Sequence, residues 1–202
     1  MKRGSGPVVA MGLLAVALTG CAARPPIEAP AARPRYTDAD VRFVSGMIPH
    51  HGQAILIAGW AQTHGAGERV RPLCERLIVS QRDEIATMQT WLRDHGEPVP
   101  GYNATPTVAG RADEPIPVPG MLTSDQLSEL DRSRGRAFDR LLLTFMIQHH
   151  RGALSMVEEM VASGGAQDET VYRLAAEAYA DQKVEIDRME RMLIALGAEP
   201  PA

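Results

Sequence analysis

The sequence has few cysteines and few aromatic residues, and it lacks a long uninterrupted apolar run. Only two cysteines, Cys21 and Cys74, occur in 202 residues, and aromatic side chains make up 4% of the chain. The formal net charge is −4 and no basic stripe stands out, so the composition argues against nucleic acid as a partner. The sequence has no nucleophile–base pair and no cofactor-binding fingerprint, so an enzymatic activity is not indicated.

The N-terminal segment has the pattern of an export signal. Lys2 and Arg3 precede an apolar core over residues 8–18, which is too short to span a membrane as a helix. The core ends in the sequence LTGC, which resembles the lipobox of bacterial lipoproteins. We expect residues 1–20 to be a lipoprotein signal peptide that leaves Cys21 as a lipidated first residue. The alternative is an ordinary signal peptide with a chance cysteine.

Residues 21–36 are rich in Pro and Ala and are expected to form an extended tether between the membrane and a folded domain. Removal of the signal peptide leaves 19 of the 21 basic residues against 25 acidic residues, which is a net charge of −6. Only Cys74 then remains besides the lipidated cysteine, so no intramolecular disulfide is expected. Its apolar neighbours indicate a small buried residue rather than a ligand or a reactive thiol.

The rest of the chain consists of two copies of one unit. MIPHH after Asp40 returns as MIQHH after Asp139, so the pair His50–His51 corresponds to His149–His150 at an offset of 99. Later in each copy, QRDEIATM corresponds to QKVEIDRM at an offset of 101. So many matched positions do not arise by chance, and we expect two structurally equivalent halves.

Each copy has the pattern of two helices. Capping-box sequences begin at Thr37 and Thr123, Gly-rich segments near 65–67 and 163–165 separate the helices, and no segment alternates with a period of two. The prediction is an all-α, antiparallel four-helix bundle built from two helical hairpins. The expected domain is 37–197, with repeat one at 37–96, a Pro-rich linker at 97–122, and repeat two at 123–197.

The repeated polar residues fall on the inward stripes of the predicted helices. Each hairpin is expected to gather two histidines, two methionines, a glutamine and a glutamate near the middle of the bundle. These are Met47, His50, His51, Gln81, Glu84 and Met88 in the first copy, and Met146, His149, His150, Gln182, Glu185 and Met189 in the second. Buried imidazole, amide and carboxylate groups must be satisfied by each other or by an ion.

The doubled histidine pair, with methionine at helical spacing, favours a metal site over a polar network that only fixes helix register. Thioether and imidazole ligands suit copper, particularly Cu(I), whereas zinc gives no reason for methionine. A ferritin-type iron site needs Glu-x-x-His on two helices, and that spacing is absent. We predict copper bound by the methionines and histidines. The residues expected to orient the imidazoles are Gln81, Glu84, Gln182 and Glu185.

Other histidines and methionines are assigned to structure rather than to the site. His64 and His95 have no equivalents in the second copy and are expected at helix ends, facing solvent or the helix C-terminus. Met121 is expected to anchor the connection between the copies. The remaining methionines of the second copy are expected in the core, and they are Met156, Met160 and Met192.

The doubled M-I-x-H-H, the later Q-x-x-E-I-x-x-M and the connecting G-M-L-T-S-D-Q-L resemble the bacterial DUF 305 family over about residues 37–197. The resemblance implies an exported protein with a ferritin-like bundle. Some members are implicated in periplasmic copper binding and copper resistance through His and Met residues. By position the implied ligands are Met47, His50, His51 and Met88, with Met146, His149, His150 and Met189. Because few methionines lie outside the motifs, one or two ions are expected.

The sequence therefore predicts a lipid-anchored bundle on the extracytoplasmic side of a bacterial membrane that sequesters or transfers copper. The sequence does not show whether the two copies share one ion or bind one ion each. Two alternative functions also stay open. The first is a ferritin-like, metal-dependent oxidoreductase, which would need Asp40, Glu84, Asp139 and Glu185 to converge on one centre. The second is a metal-free structural or partner-binding bundle, in which every imidazole nitrogen of the histidine pairs would have a hydrogen-bond partner within the protein. The sequence identifies no copper-delivery partner and no oligomeric state.

Overall fold

Capping interactions set the starts of three helices. The Thr37 side chain accepts a hydrogen bond from the backbone N–H of Asp40, whose carboxylate accepts one from the N–H of Thr37, and α1 (Asp38–Gly59) follows. The same reciprocal pattern at Thr123 opens the short helix α3 (Ser124–Arg132). Asp168 caps α5 (Glu169–Ala195) by accepting from two backbone N–H groups. The capping boxes predicted from the sequence are therefore present.

The computed structural model describes residues 36–102, 107–108, 111–115 and 118–201, together with Met1. Apart from Met1, the expected signal peptide lies outside the described residues, as do Cys21 and almost all of the tether, and these assignments stay predictions. In the described part of the chain, no helix is long and apolar enough to cross a membrane.

The described residues form the predicted all-α four-helix bundle. Its long helices are α1, α2 (Val70–Asp94), α4 (Gly135–Ala162) and α5, with a short 3₁₀ helix at Trp60–Gln62. α1 packs on α2 and α4 packs on α5, and the two hairpins meet mainly along α1 and α4. The linker adds an antiparallel pair of short strands that was not predicted, β1 (Thr107–Val108) and β2 (Arg111–Pro115).

Repeat two begins with an extra helix that the sequence pattern did not separate from the next one. α3 ends at Arg132, and α4 begins at Gly135, which has a φ of +58°. Glycine adopts this left-handed conformation without steric cost, so the chain can turn sharply there. The backbone N–H of Gly135 donates to the carbonyl oxygen of His64 at 2.8 Å. This hydrogen bond therefore joins the start of α4 to the turn that follows the 3₁₀ helix of repeat one.

Two apolar clusters fill the bundle on either side of its middle. One cluster joins the first half of α1 to the second half of α4 and contains Val44 and Val157. The other joins the second half of α1 to the first half of α4 and contains Ile57 and Leu142. Because the halves combine in opposite order, α1 and α4 run antiparallel. The repeats are thus related by an approximate twofold axis through the middle of the bundle.

Asp40 and Asp139 tie each repeat to the loop of the other. Asp40 Oδ1 accepts from the backbone N–H of Ala166 at 2.6 Å, and both carboxylate oxygens of Asp139 lie 3.1 Å from the backbone nitrogen of Gly67. Gly67 and Ala166 differ by the same 99 positions as the two aspartates. Both carboxylates are therefore used in holding loops, which argues against the oxidoreductase hypothesis that places them in a metal centre.

Replacing Asp139 with Ala is expected to lower the free energy of unfolding by about 1–3 kcal/mol, because the Gly67 N–H loses its acceptor. Urea unfolding followed by circular dichroism measures this change. Asp187→Ala, at an exposed position of α5, is the matched control and should change the free energy of unfolding by less than about 0.5 kcal/mol. Equal, small effects of both substitutions would show that the contact between the repeats contributes nothing.

Candidate metal centre

Four histidines form one layer at the middle of the bundle. The rings of His50 and His149 have centroids 3.7 Å apart and are inclined by 36°. Each lies 6.3 Å from the neighbouring histidine of its own helix, His51 or His150. All four side chains are buried, with no more than 1% exposure. The crossing of α1 and α4 therefore gathers both histidine pairs into a single cluster, which we call the histidine layer.

Three of these imidazoles are held through Nε2. His51 Nε2 lies 2.5 Å from Oε2 of Glu84, and His150 Nε2 lies 2.8 Å from Oε2 of Glu185. His50 Nε2 lies 3.1 Å from the carbonyl oxygen of Pro119. Carboxylate and carbonyl oxygens only accept hydrogen bonds, so Nε2 carries the proton in each neutral ring. In the neutral form of these three rings the lone pair is therefore on Nδ1.

The other ring nitrogens of the layer have no hydrogen-bond partner. Five buried nitrogens are open in this way: Nδ1 of His50, His51 and His150, and both Nδ1 and Nε2 of His149. Leaving a buried polar group unsatisfied costs about 1–3 kcal/mol, and native structures contain few such groups. A bound metal ion would satisfy such open lone pairs, so the donor atoms of this layer are chemically suited to a metal.

Burial keeps the two central imidazoles neutral. Burial, followed by the neighbouring His51, lowers the pKa of His50 well below its usual range, and the Pro119 carbonyl only partly opposes this. Burial, followed by the neighbouring His50 and His150, lowers the pKa of His149 in the same way. A neutral imidazole is the form that binds metals, so each of these two rings offers one lone pair without first losing a proton.

The stability of the metal-free protein is expected to fall as the pH falls below about 6.5. The unfolded chain then takes up protons on His50 and His149, whereas the folded chain keeps both neutral. This contribution is complete above the unfolded pKa and is lost toward the lowered folded pKa, at up to about 1.4 kcal/mol per pH unit for each histidine. Urea unfolding with a chelator at about pH 7.5 and about pH 5.5 measures it. A His149→Leu variant that shows the same pH dependence would contradict this expectation.

The four motif methionines flank the histidine layer. Met47, Met88, Met146 and Met189 are buried, with at most 2% exposure. Met47 and Met88 belong to the apolar cluster on one side of the layer, and Met146 and Met189 belong to the cluster on the other side. Met47 and Met146 each precede the histidine pair of their own helix by about one turn, so they share its helix face. Thioether sulfur is thus placed on both sides of the imidazoles.

The glutamates and glutamines, all predicted to orient imidazoles, differ in their contacts. Glu84 and Glu185 hold the outer histidines and remain 24% and 23% exposed, so they connect the buried layer with solvent. The side-chain oxygens of Gln81 and Gln182 are buried and bond to no imidazole. Among the described residues, no group of three or more His, Cys, Asp or Glu side chains is arranged to hold a metal ion.

The two halves of the layer differ beside their glutamates. Ser80 Oγ donates to Oε1 of Glu84 at 3.3 Å. Asp181 takes the corresponding position beside Glu185 at the offset of 101. Burial, followed by the charges of Glu185 and Glu84, raises the pKa of the Asp181 carboxyl. The second half of the layer therefore carries an extra acidic group at its solvent side.

Pro119 belongs to the centre although no sequence signal identified it. It acts through its backbone carbonyl, a group that every residue has. Gly152 allows the close approach, because a Cβ atom there would lie 2.1 Å from the Pro119 carbonyl oxygen. Gln53 fixes the same segment by exchanging hydrogen bonds of 2.7 and 3.1 Å with the backbone of Leu122. Residues 118–122 thus form a strap across His50.

Three residues assigned to structure lie outside the histidine layer. His64 is 4% exposed, stacks on Trp60 and has Nε2 3.0 Å from the carbonyl oxygen of Asp131. His64 does not face solvent, because the ring is covered by the C-terminal end of α3. His95 contacts the Trp91 carbonyl at the end of α2. Cys74 is buried as predicted, and burial raises its pKa to about 12.

Several solved structures share this fold. A DUF305 protein from Streptomyces coelicolor is 25% identical, with a TM-score of 0.70 over 81% of this chain and 97% of its own. A DUF305 fragment from Deinococcus radiodurans is 29% identical, with a TM-score of 0.66 over 79% of this chain and 98% of its own. CopM in its Cu(I)-bound form is 24% identical, with a TM-score of 0.60 over 79% of this chain and 97% of its own.

Sequence comparison identifies the family. An uncharacterized protein of Acanthamoeba polyphaga mimivirus is 36% identical over 53 residues, which are 26% of this chain and 35% of that relative. The match thus spans about a third of the length of the curated relative. The model of the family described as "Domain of unknown function (DUF305)" matches residues 40–193, which include both histidine pairs and the glutamates that hold them. The chain therefore belongs to the DUF305 family.

Proposed function

We propose that this protein binds copper as Cu(I) at the histidine layer and serves to sequester or transfer the ion. The observation that carries the proposal is the set of five buried imidazole nitrogens without hydrogen-bond partners. A metal-free bundle whose histidines only specify packing would be expected to satisfy these atoms internally. Bound ions would satisfy the lone pairs among them, one on each imidazole, and would offset the free energy lost in burying those atoms.

The choice of copper depends on the methionines beside the layer. Thioether sulfur suits Cu(I), whereas carboxylate oxygens suit iron, manganese or magnesium. The buried thioethers of Met47 and Met88 lie on one side, and those of Met146 and Met189 on the other. In this proposal Glu84 and Glu185 hold the Nε2 protons of the outer imidazoles, which orients Nδ1 and raises its basicity. Copper is cargo here and supplies no reaction chemistry.

The twofold arrangement favours two ions over one. The thioether pairs belong to different apolar clusters on opposite sides of the layer. A single ion would therefore leave one pair of sulfurs unused. Two ions, on either side of the stacked His50 and His149 rings, would give each repeat its own set of sulfur and nitrogen ligands.

CopM provides the ions for a first test. It has been solved in Cu(I)-bound, Cu(II)-bound, Ag-bound and apo forms. Because CopM is 24% identical to this chain, the likeness establishes the fold, and the proposal rests on the residues of the histidine layer. The proposed site of action, on the extracytoplasmic side of a bacterial membrane with Cys21 as lipid anchor, is supported by the N-terminal sequence.

An anaerobic titration of the purified protein with Cu(I), in competition with a chromophoric chelator, tests the proposal. We expect the histidine layer to withdraw about two equivalents of Cu(I) from the chelator. A parallel titration with Zn²⁺ should show much weaker binding, because zinc gains little from thioether sulfur. If a chelator of moderate affinity keeps all of the Cu(I), the proposal is wrong and the layer is a structural feature of the core.

A further inference from the structure

Two methionines that do not belong to the repeated motifs line a pocket outside the histidine layer. The pocket lies between the first half of α1, the second half of α4 and the strap, and its volume is about 90 Å³. Met156 and Met160 form part of its wall, with 9% and 3% exposure. The remaining wall is mostly apolar, and the charges of its two ionised residues, Arg42 and Glu159, offset each other.

These two methionines have no methionine counterparts in repeat one. At the offset of 99 that aligns the histidines, Met156 corresponds to Ile57 and Met160 corresponds to Ala61. Ile57 and Ala61 are buried apolar residues of the other cluster, with 0% and 2% exposure. Met156 and Met160 also belong to an apolar core cluster, but unlike Ile57 and Ala61 they bring two thioethers to the wall of a pocket.

The helix spacing places both methionines on one face of α4. Met156 and Met160 are four residues apart on α4, so their Cβ atoms lie on the same face about 5–6 Å from each other. Methionine side chains are flexible and can adjust to a shared ligand. Gly46 leaves room for the end of one of them, because a Cβ atom there would lie 3.2 Å from Cε of Met156. Repeat two has Phe145 at the equivalent position.

We propose that Met156 and Met160 form an outer site for a soft monovalent ion, Cu(I) or Ag(I), separate from the histidine layer. Uncharged thioethers in an apolar pocket bind soft ions and offer little to Mg²⁺ or Ca²⁺, which need several oxygen ligands. Pro119 lines this pocket and also holds His50 through its carbonyl. The outer site is thus adjacent to the strap, on the side where the strap covers the layer.

Titration of the purified protein with Ag(I), followed by NMR of ¹³C-methyl-labelled methionines, tests the outer site. Single Leu substitutions at Met156 and Met160 assign the two methyl resonances and largely preserve side-chain volume. We expect both resonances to shift as Ag(I) is added. The double variant Met156→Leu/Met160→Leu should lose about one equivalent of Ag(I) capacity. Met192→Leu, a half-buried methionine of α5 outside the pocket, is the matched control and should keep the full capacity.

The same spectra distinguish this site from the histidine layer. In a His50→Ala/His149→Ala protein, the Met156 and Met160 resonances should still shift with Ag(I), whereas those of the motif methionines should respond less. If the motif methionines fail to respond in the unaltered protein while Met156 and Met160 do, the copper layer is wrong and the outer site stands. The outer-site proposal is wrong if the Met156 and Met160 resonances do not shift at saturating Ag(I). It is also wrong if the double Leu variant keeps the full Ag(I) capacity.

Discussion

Tight Cu(I) binding is expected to be lost when His51 and His150 are both replaced with Ala. The double substitution removes one open Nδ1 from each repeat and leaves the Glu84 and Glu185 carboxylates without their imidazole partners. Removing a group that merely orients a metal ligand weakens affinity by about 10- to 100-fold, so removing two ligands should exceed this. Chelator competition under anaerobic conditions measures the loss.

Two variants serve as controls for that experiment. His64→Ala removes a buried, hydrogen-bonded histidine outside the layer, so it is expected to lower stability but to leave the Cu(I) capacity unchanged. Glu84→Gln with Glu185→Gln keeps an oxygen that can accept from Nε2 but removes the charge, so affinity should fall by about 10-fold. A His51→Ala/His150→Ala protein that melts earlier yet binds as much Cu(I) would contradict the proposed ligands.

The Gly152→Ala substitution is expected to disrupt the strap. A Cβ atom at this position would lie 2.1 Å from the carbonyl oxygen of Pro119, 2.4 Å from its carbonyl carbon and 2.6 Å from Cα of Gly120. These are backbone atoms, so the clash cannot be relieved by turning a flexible side chain. Either the strap moves and His50 loses its carbonyl partner, or the fold is strained. Overpacking of this kind costs about 1–3 kcal/mol.

Hydrogen exchange of the strap amides, together with urea unfolding, measures the effect of Gly152→Ala. We expect faster exchange at the amides of Val118, Gly120, Met121 and Leu122, and a lower free energy of unfolding. Gly59→Ala is the matched control, because a Cβ atom there has no neighbour within 4 Å. That variant should be neutral or should stabilise α1 by up to about 1 kcal/mol. Unchanged strap exchange and unchanged stability in Gly152→Ala would show that the strap is not held tightly against α4.

The helices and the polar layer could be predicted from the sequence because their signals are local or repeated. The capping boxes at Thr37 and Thr123 lie within one turn of the helices they open. The inward position of the histidine pairs follows from helical periodicity, and repetition strengthens that inference in the second copy. Folding each hairpin about its loop brings glutamines and glutamates near the histidines, but it does not show that Glu84 and Glu185 are the ones that bond to the outer imidazoles.

Other parts of the centre depend on contacts between elements and have no local signal. The stacking of His50 on His149 is set by how α1 and α4 cross, so the sequence could not show whether the two pairs share one layer. Asp40 was recognised as a capping residue, but its bond to Ala166 joins residues 126 positions apart. The Pro119 carbonyl and the burial of His64 likewise depend on where the linker and α3 pack.

The reciprocal bonds from Asp40 to Ala166 and from Asp139 to Gly67 have the form of an isologous contact, in which the same patch on two partners meets across a twofold axis. In a dimer of identical hairpins, every substitution would occur on both sides of the axis at once. Joining the hairpins in one chain removes that constraint. Pro49 stands against Gln148, and Ser80 against Asp181, beside the shared layer. Covalent fusion thus leaves the two halves free to evolve different affinities within one symmetric fold.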